Sequence, residues 1–432
     1  MRFTQRTAAL IALASALVLI APLGLMLSVI GALLVLAFVD ALAVRRPPAG
    51  QRVVGPFARG VATPVTIDVE RGSASRLAVR QPLPPDMRSA STDSSTGSLH
   101  TTLQPQRRGA YTLAPVAVRR DGPLGLGRWH HEIGSAQQIR VYPDLPAAQR
   151  LAQSVRQRTI RIGGERRRGP LGLGTEFESV REYRPDDDVR QINWRATARL
   201  GRAMSNNLRV EQDLDVWVLV DAGRLSAASM RVGPASSLAG SSAGSLVNRL
   251  DLYLDAVAAV GLVADDLGDR LGFAAFAERM LCHLVPRRRG GTQAIEASFS
   301  LEPALVESDY ATAFASTNSI RRALVMIFAD LIDEASAASL AAALPTLCRR
   351  HSVVVVTIDD PEFVRARTDG SPTERAVVGD IDDACAAARR VITATGAGVV
   401  VAPADRIAEQ AVRTYLRARS GGASADRARS AS

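Results

Sequence analysis

Two aspartates stand where a folded chain often places its chemistry. Leu214-Asp-Val-Trp-Val-Leu-Val-Asp221 and Ala323-Leu-Val-Met-Ile-Phe-Ala-Asp330 are apolar runs that each end in a carboxylate. Runs of this length and type read as buried parallel strands. In an open α/β sheet, ligands gather beyond the carboxyl ends of the strands. Asp221 and Asp330 are therefore expected to converge. Together they could hold a divalent cation such as Mg2+ through oxygen ligands, or share acid–base work. The plainer expectation is that each caps the helix after it.

A second concentration of reactive groups lies between positions 178 and 199. Arg181, Arg184, Arg190, Arg195 and Arg199 stand against Glu178, Glu182, Asp186, Asp187 and Asp188, with Tyr183, Asn193 and Trp194 among them. Ten charges exclude a hydrophobic core, and a solvated tail has no use for two aromatics. The expectation is a half-buried network, with guanidinium planes forked onto carboxylates and stacked on rings. Such networks more often fix geometry than catalyse. A clamp between two domains is the leading expectation, and a docking face for a partner is the alternative.

The elements that must position these residues follow from periodicity. From residue 213 to 418, apolar runs alternate with helical patterns. Candidate strands are 214–221, 270–276, 279–285, 323–330, 352–358 and 398–401, and candidate helices are 246–267, 335–349, 380–395 and 405–417, with a further helix after Thr292. This order predicts a doubly wound parallel α/β sheet. A Ser/Gly/Ala-rich loop is expected from Ser226 to Ser245 and a disordered tail over 419–432. Residues 146–212 read as a connector: a helix, a Gly/Arg linker from Gly163 to Gly174, and the charged stretch. Residues 48–145 read as short antiparallel strands separated by turns, which suggests a small β-sandwich.

Residues 1–47 are of another kind. From Thr7 to Val44 the chain is almost unbroken Ala, Leu, Val, Ile, Gly, Phe and Met, and Asp40 is its one charge. About 38 residues match the ~36–40 that two short membrane spans need, and Pro22-Leu23-Gly24 supplies a turn. A helical hairpin over 7–22 and 25–43 is expected. Arg2, Arg6, Arg45 and Arg46 flank it, so both ends belong on the cytoplasmic side. A signal peptide followed by one anchor is the rival, weakened by the lack of a polar gap between the two stretches.

Composition narrows the function classes. The formal net charge is +10 and aromatics make up 4% of residues. The chain lacks an aromatic-rich basic stripe, so no nucleic-acid partner is expected. Arg166–Arg168 and Arg287–Arg289 are basic runs that fit a solvated or membrane-apposed face. Cys282, Cys348 and Cys385 have no ligand spacing and read as buried thiols. No P-loop, Ser/His/Asp or Cys/His grouping is present, and the His130–His131 pair reads as strand edge.

The α/β pattern resembles a von Willebrand factor A domain, whose metal site uses an Asp-x-Ser-x-Ser loop, a distant Thr and a further Asp. The resemblance matches Asp221 and Asp330 to the aspartates and Thr292 to the Thr, with Thr312 as an alternative. Gly223 and Leu225 stand where the serines belong, so two of the motif's ligands are missing. The whole arrangement resembles domain of unknown function family 58. Its signature is matched by Arg181, Glu182, Tyr183, Pro185, Asp187, Asp188, Arg190, Ile192, Asn193, Trp194, Arg195, Ala198 and Arg199, with Asp186 replacing a usual Gly. The segments 107–116 and 122–126 resemble the family's β region. The resemblance implies a multi-pass membrane protein whose soluble domains face the cytoplasm. It also implies a partner, a MoxR-type AAA+ ATPase, in complex assembly or envelope maintenance. A non-enzymatic interaction module is expected. The alternatives are a metal-dependent hydrolase using Asp187, Asp188, Asp221 or Asp330, and a binder of anionic lipid or nucleic acid.

Overall fold

Alternation of apolar and polar residues sets the strands of the N-terminal half. Thr63–Val69 buries every second side chain, and Ser98–Pro105 does the same beside it. The computed structural model describes residues 2–16, 23–72, 74, 76–162, 171–183, 192–209, 214–232, 245–317, 322–332 and 334–430. Two compact units result: Met1–Asp144 with Ser298–Ser300, and Leu145–Ala297 with Leu301–Ser432.

In the first unit, a four-stranded sheet contains Gly50–Val54, Thr63–Val69, Ser98–Pro105 and Met87–Ser89. A five-stranded sheet contains Arg2–Phe3, Gly127–Ile133, Val116–Asp121, Arg76–Arg80 and Asp93–Ser94. Ile67 and Leu99 from the first sheet and Leu77 and Val118 from the second lie in one buried core, as a small sandwich requires. Two apolar helices precede the sheets. Helix α1 (Gln5–Ala16) has 12 residues and α2 (Leu23–Ala43) has 21. At 1.5 Å per residue they measure about 18 and 32 Å. Among the described residues only α2 is long and apolar enough to cross a membrane, so two full spans are not found. Residues 17–22, where most of the expected turn falls, lie outside the described residues.

Helix α3 (Leu145–Ile162) opens the second unit. Part of the expected Gly/Arg linker is instead a strand, Leu171–Glu182, paired antiparallel with Met204–Arg209; residues 163–170 lie outside the described residues. A six-stranded sheet follows. Its members are β1 (Asp215–Asp221), β2 (Arg270–Phe276), β3 (Met280–Arg288), β4 (Ala323–Phe328), β5 (Ser352–Asp359) and β6 (Gly398–Pro403). The spatial order is β3-β2-β1-β4-β5-β6, and every pairing is parallel except β2 with β3. The order reverses direction between β1 and β4, which makes the crevice past their carboxyl ends the topological switch point. All seven residues of β1 and all six of β4 are buried, because helices cover both faces.

Several boundaries differ from expectation. The helix expected from Leu246 begins at Arg249. Ser245–Asn248 is a strand paired with Ser229–Val232, and Asn248 caps the helix by accepting from the Asp251 N–H at 2.7 Å. The segment before position 380 is helical: Pro361–Asp369, then Pro372–Ala394 with a Ser371/Glu374 capping box. The last helix runs Ile407–Ser430, so the disordered tail is not found over 419–430. Arg419 donates to the buried Asp269 at 2.8 Å, and Tyr415 donates to the same carboxylate.

Candidate functional site

Asp221 and Asp330 do meet at the switch point, as the strand pattern predicts. Asp221 closes β1 and Asp330 lies two residues past β4, both buried. What surrounds them is protein rather than an open coordination site. One oxygen of Asp221 accepts the Gly223 N–H at 2.8 Å and the Ser308 hydroxyl; the other accepts the Tyr310 hydroxyl. Asp330 Oδ1 accepts from Arg249 Nη1 at 2.6 Å and from the Tyr253 hydroxyl at 2.8 Å. The second arm of Arg249 reaches Asp360 Oδ2 at 2.9 Å. The Arg249 side chain is 9% exposed and that of Asp330 1%. Asp330 Oδ2 is buried without a hydrogen-bond partner among the described residues.

The electrostatics follow from burial. Desolvation raises the Asp330 carboxyl above its ordinary value, against the downward pull of Arg249 and Tyr253, and the charge on Asp221 adds to the rise. Burial first, and then the neighbouring carboxylates, lift the Tyr253 and Tyr310 phenols well above the usual tyrosine value, so both stay protonated donors. Burial works to lower Arg249, but Asp330, Tyr253 and Asp360 outweigh it and hold the guanidinium charged.

A divalent cation does not fit these residues. Three of the four carboxylate oxygens are occupied by protein donors. A fixed positive charge already contacts the carboxylate that would be the second ligand. The missing serine at position 223 is not an empty place either. A Cβ on Gly223 would lie 2.3 Å from Ser308 Oγ and 3.0 Å from Asp221 Oδ1, so Ser308 fills the volume that a motif serine would use. Thr292 is elsewhere. It lies in the first turn of helix Gly290–Ser298, and its Oγ1 donates to Asp265 at 2.9 Å, beside the backbone N–H groups of Gly291 and Thr292 on the same carboxylate. Thr312 Oγ1 donates to Asp309 at 2.6 Å. Neither threonine joins the aspartate pair. Among the described residues no group of three or more His, Cys, Asp or Glu could hold a metal ion.

Arg249, Tyr253, Ser308, Tyr310 and Asp360 were not among the residues expected here. One sequence signal pointed to Arg249. It is the single cation of helix Arg249–Leu267 and stands in the first turn, where the helix dipole disfavours it, and such a placement calls for a compensating anion.

The charged stretch is the second candidate. Asp187, Asp188 and Arg190 lie outside the described residues. Arg181 and Glu182 end the strand Leu171–Glu182, where Arg181 Nη1 donates to the Glu182 carbonyl at 3.0 Å. The Tyr183 N–H donates to the Ala203 carbonyl at 2.9 Å. Asn193 caps helix α4 (Trp194–Leu200) by accepting from the Ala196 N–H at 2.9 Å, and Gly201 ends it with φ of 66°. Helix α4 buries none of its residues. Trp194 is 69% exposed, and Arg195, Arg199 and Leu200 are exposed with it. Beside them a cavity of about 560 Å³ is lined by Val180, Asn193, Arg195, Ala196, Arg199, Leu200 and Met204. An exposed indole on a capped helix is a residue type that contact surfaces use.

The remaining groups are quiet. Arg287, Arg288 and Arg289 are exposed at the end of edge strand β3, and Arg166–Arg168 lie outside the described residues. The three cysteines are partly buried, which raises their thiols.

Comparison with known proteins adds the following. The model of the family described as "Protein of unknown function DUF58" matches residues 179–371, from the charged stretch through the first helix after β5. Uncharacterized proteins of Mycobacterium bovis and Mycobacterium tuberculosis are 28% identical to this chain over 200 residues. The match covers 45% of this chain and 57% of each relative's length. Among solved structures, the SpRpn10 VWA domain is 12% identical with a TM-score of 0.26, over 46% of this chain and 94% of that one. An uncharacterized membrane spanning protein from Vibrio fischeri is 15% identical with a TM-score of 0.15, over 47% and 97%.

Proposed function

We propose that this protein is a membrane-anchored interaction module, with α4 and its adjoining cleft as the partner-binding face. The observation that carries the reading is Trp194, 69% exposed on a helix that buries nothing. Large exposed aromatics flanked by arginines are the residue types that dominate protein–protein hot spots. The partner proposed is a MoxR-type AAA+ ATPase, and the process complex assembly or envelope maintenance. Helix α2 supplies the anchor. Helices α1 and α2 pack on one another, and both hold the loop at 122–127. That arrangement supports a hairpin with both outer ends, and the soluble units, on the cytoplasmic side.

The hydrolase alternative has less to support it at the switch point. Three of the four oxygens of Asp221 and Asp330 accept from Gly223, Arg249, Tyr253, Ser308 and Tyr310, the fourth, Asp330 Oδ2, is buried, and Asp187 and Asp188 lie outside the described residues. The test of the interaction reading is site-specific crosslinking in cells from positions 194 and 200. Crosslinks to the ATPase that disappear in Trp194→Ala support it. Equal crosslinking from β3, on a different edge of the unit, sinks it.

A further inference from the structure

Helix α2 carries one charge, and the fold disposes of it without water. Asp40 accepts the backbone N–H of Leu124 at 2.7 Å, of Leu126 at 2.8 Å and of Gly127 at 2.9 Å. Two glycines make the approach possible. A Cβ on Gly122 would lie 2.4 Å from Asp40, and one on Gly127 would lie 2.4 Å from the Ala37 carbonyl. From the other side, Thr4 Oγ1 donates to the Gly125 carbonyl at 2.7 Å and Thr7 Oγ1 to the Leu126 carbonyl at 2.5 Å. The loop is thus gripped by the start of α1 and the end of α2. Its tip points out, with Pro123 exposed and Leu124 54% exposed. Phe3, Phe38, Val39 and Leu42 are exposed as well. These apolar groups continue the surface of the helix that meets lipid.

Against this apolar rim lies a cavity of about 230 Å³ lined by Thr4, Gln5, Arg6, Arg76, Asp121, Gly125 and Arg128. Arg128 is engaged by Asp121, at 2.6 and 3.0 Å. Arg6 and Arg76 make no ion pair or side-chain hydrogen bond among the described residues. Three arginines against one aspartate leave the lining at +2.

We propose that this cavity holds the phosphate of an anionic lipid headgroup, with Leu124 and Phe3 seated at the acyl boundary beside it. The proposal rests on the membrane-anchored reading above. Guanidinium donors match phosphate oxygens in pairs, and the cytoplasmic leaflet supplies anionic headgroups at the depth where a span ends. An apolar rim beside a cationic cavity selects a phosphate that carries acyl chains over one that does not.

The test uses the full chain in detergent. Short-chain phosphatidylglycerol, short-chain phosphatidylcholine and inorganic phosphate are titrated separately, with bound lipid counted by native mass spectrometry and the melting midpoint followed. Wild type is expected to saturate with phosphatidylglycerol. Arg6→Gln/Arg76→Gln should weaken that about 10- to 30-fold at about 1 kcal/mol per arginine, with an unchanged midpoint in the absence of lipid. Arg45→Gln/Arg46→Gln, the other basic flank, should change it by less than threefold. Equal loss in both double variants, or equal saturation by phosphatidylcholine, would overturn the site. Saturation by inorganic phosphate at the same concentration would overturn the lipid assignment. A chain that leaves the membrane fraction on cell breakage would fail the anchored reading itself. A chain that stays there without headgroup preference would fail only this proposal.

Discussion

Replacing Arg249 by Met should uncover what the switch point costs when its internal cation is gone. The guanidinium contacts Asp330 at 2.6 Å and Asp360 at 2.9 Å, in a place almost closed to solvent. Methionine keeps much of the volume and removes the charge. Asp330 would then keep one hydrogen bond, from Tyr253, and no counter-charge. Removing one partner of a buried pair costs about 3–5 kcal/mol, a large share of the ~5–15 kcal/mol that holds a domain together. With a urea m-value of about 2–3 kcal/mol/M, the midpoint should fall by about 1–2 M. Fluorescence of the buried Trp217 on β1 reports the transition. The pH dependence has a definite sign. Burial already raises the folded-state value of Asp330, and losing Arg249 raises it further. In acid the carboxyl is protonated in both folded and unfolded states, so the deficit is smallest there. It grows as pH rises from the ordinary carboxylate range through the elevated folded value. Arg249→Met/Asp330→Asn should show a favourable coupling of about 2–3 kcal/mol relative to the single changes. A single change costing under ~1 kcal/mol with no pH dependence would refute the internal-cation account.

Three shorter predictions follow from the same geometry. Trp194→Ala should leave the melting midpoint within the ±0.5 kcal/mol typical of surface changes while abolishing ATPase capture in a pull-down; a large drop in midpoint would restore the clamp reading. Gly223→Ser puts back the metal-motif residue but collides with Ser308, so it should cost about 1–3 kcal/mol and gain no magnesium heat by calorimetry. Asp40→Ala leaves three N–H groups without their acceptor, and the two that are buried, on Leu126 and Gly127, cost about 1–3 kcal/mol each; it should open the loop at 122–127 to protease, and unchanged digestion would contradict the grip on the loop.

The parts of this fold legible in the sequence are those governed by local pattern. Seven buried residues in β1 and strict alternation in Thr63–Val69 announce a two-sided and a one-sided strand, and both aspartates stand at the switch point as their run-ending positions suggest. The parts that were not legible depend on distance along the chain. Arg249 reaches Asp330 across 81 positions, and Ser308 comes from a loop with no periodicity to mark it. Thr292 was drawn in by a resemblance, whereas its own neighbours tie it to Asp265. The charged stretch shows the limit of composition: the same ten charges suit a clamp or a surface, and the exposure of Trp194 is not written in their spacing.

The grip on Asp40 has a mechanical consequence. Successive residues of a helix are turned by about 100°. Because three amides hold Asp40 in place, the azimuth of α2 is locked to the β unit. Adding one residue to the helix before Asp40 would swing its exposed apolar side by about 100° while the loop stayed put. Helix α2 and the sandwich therefore turn as one shaft, with no swivel between them.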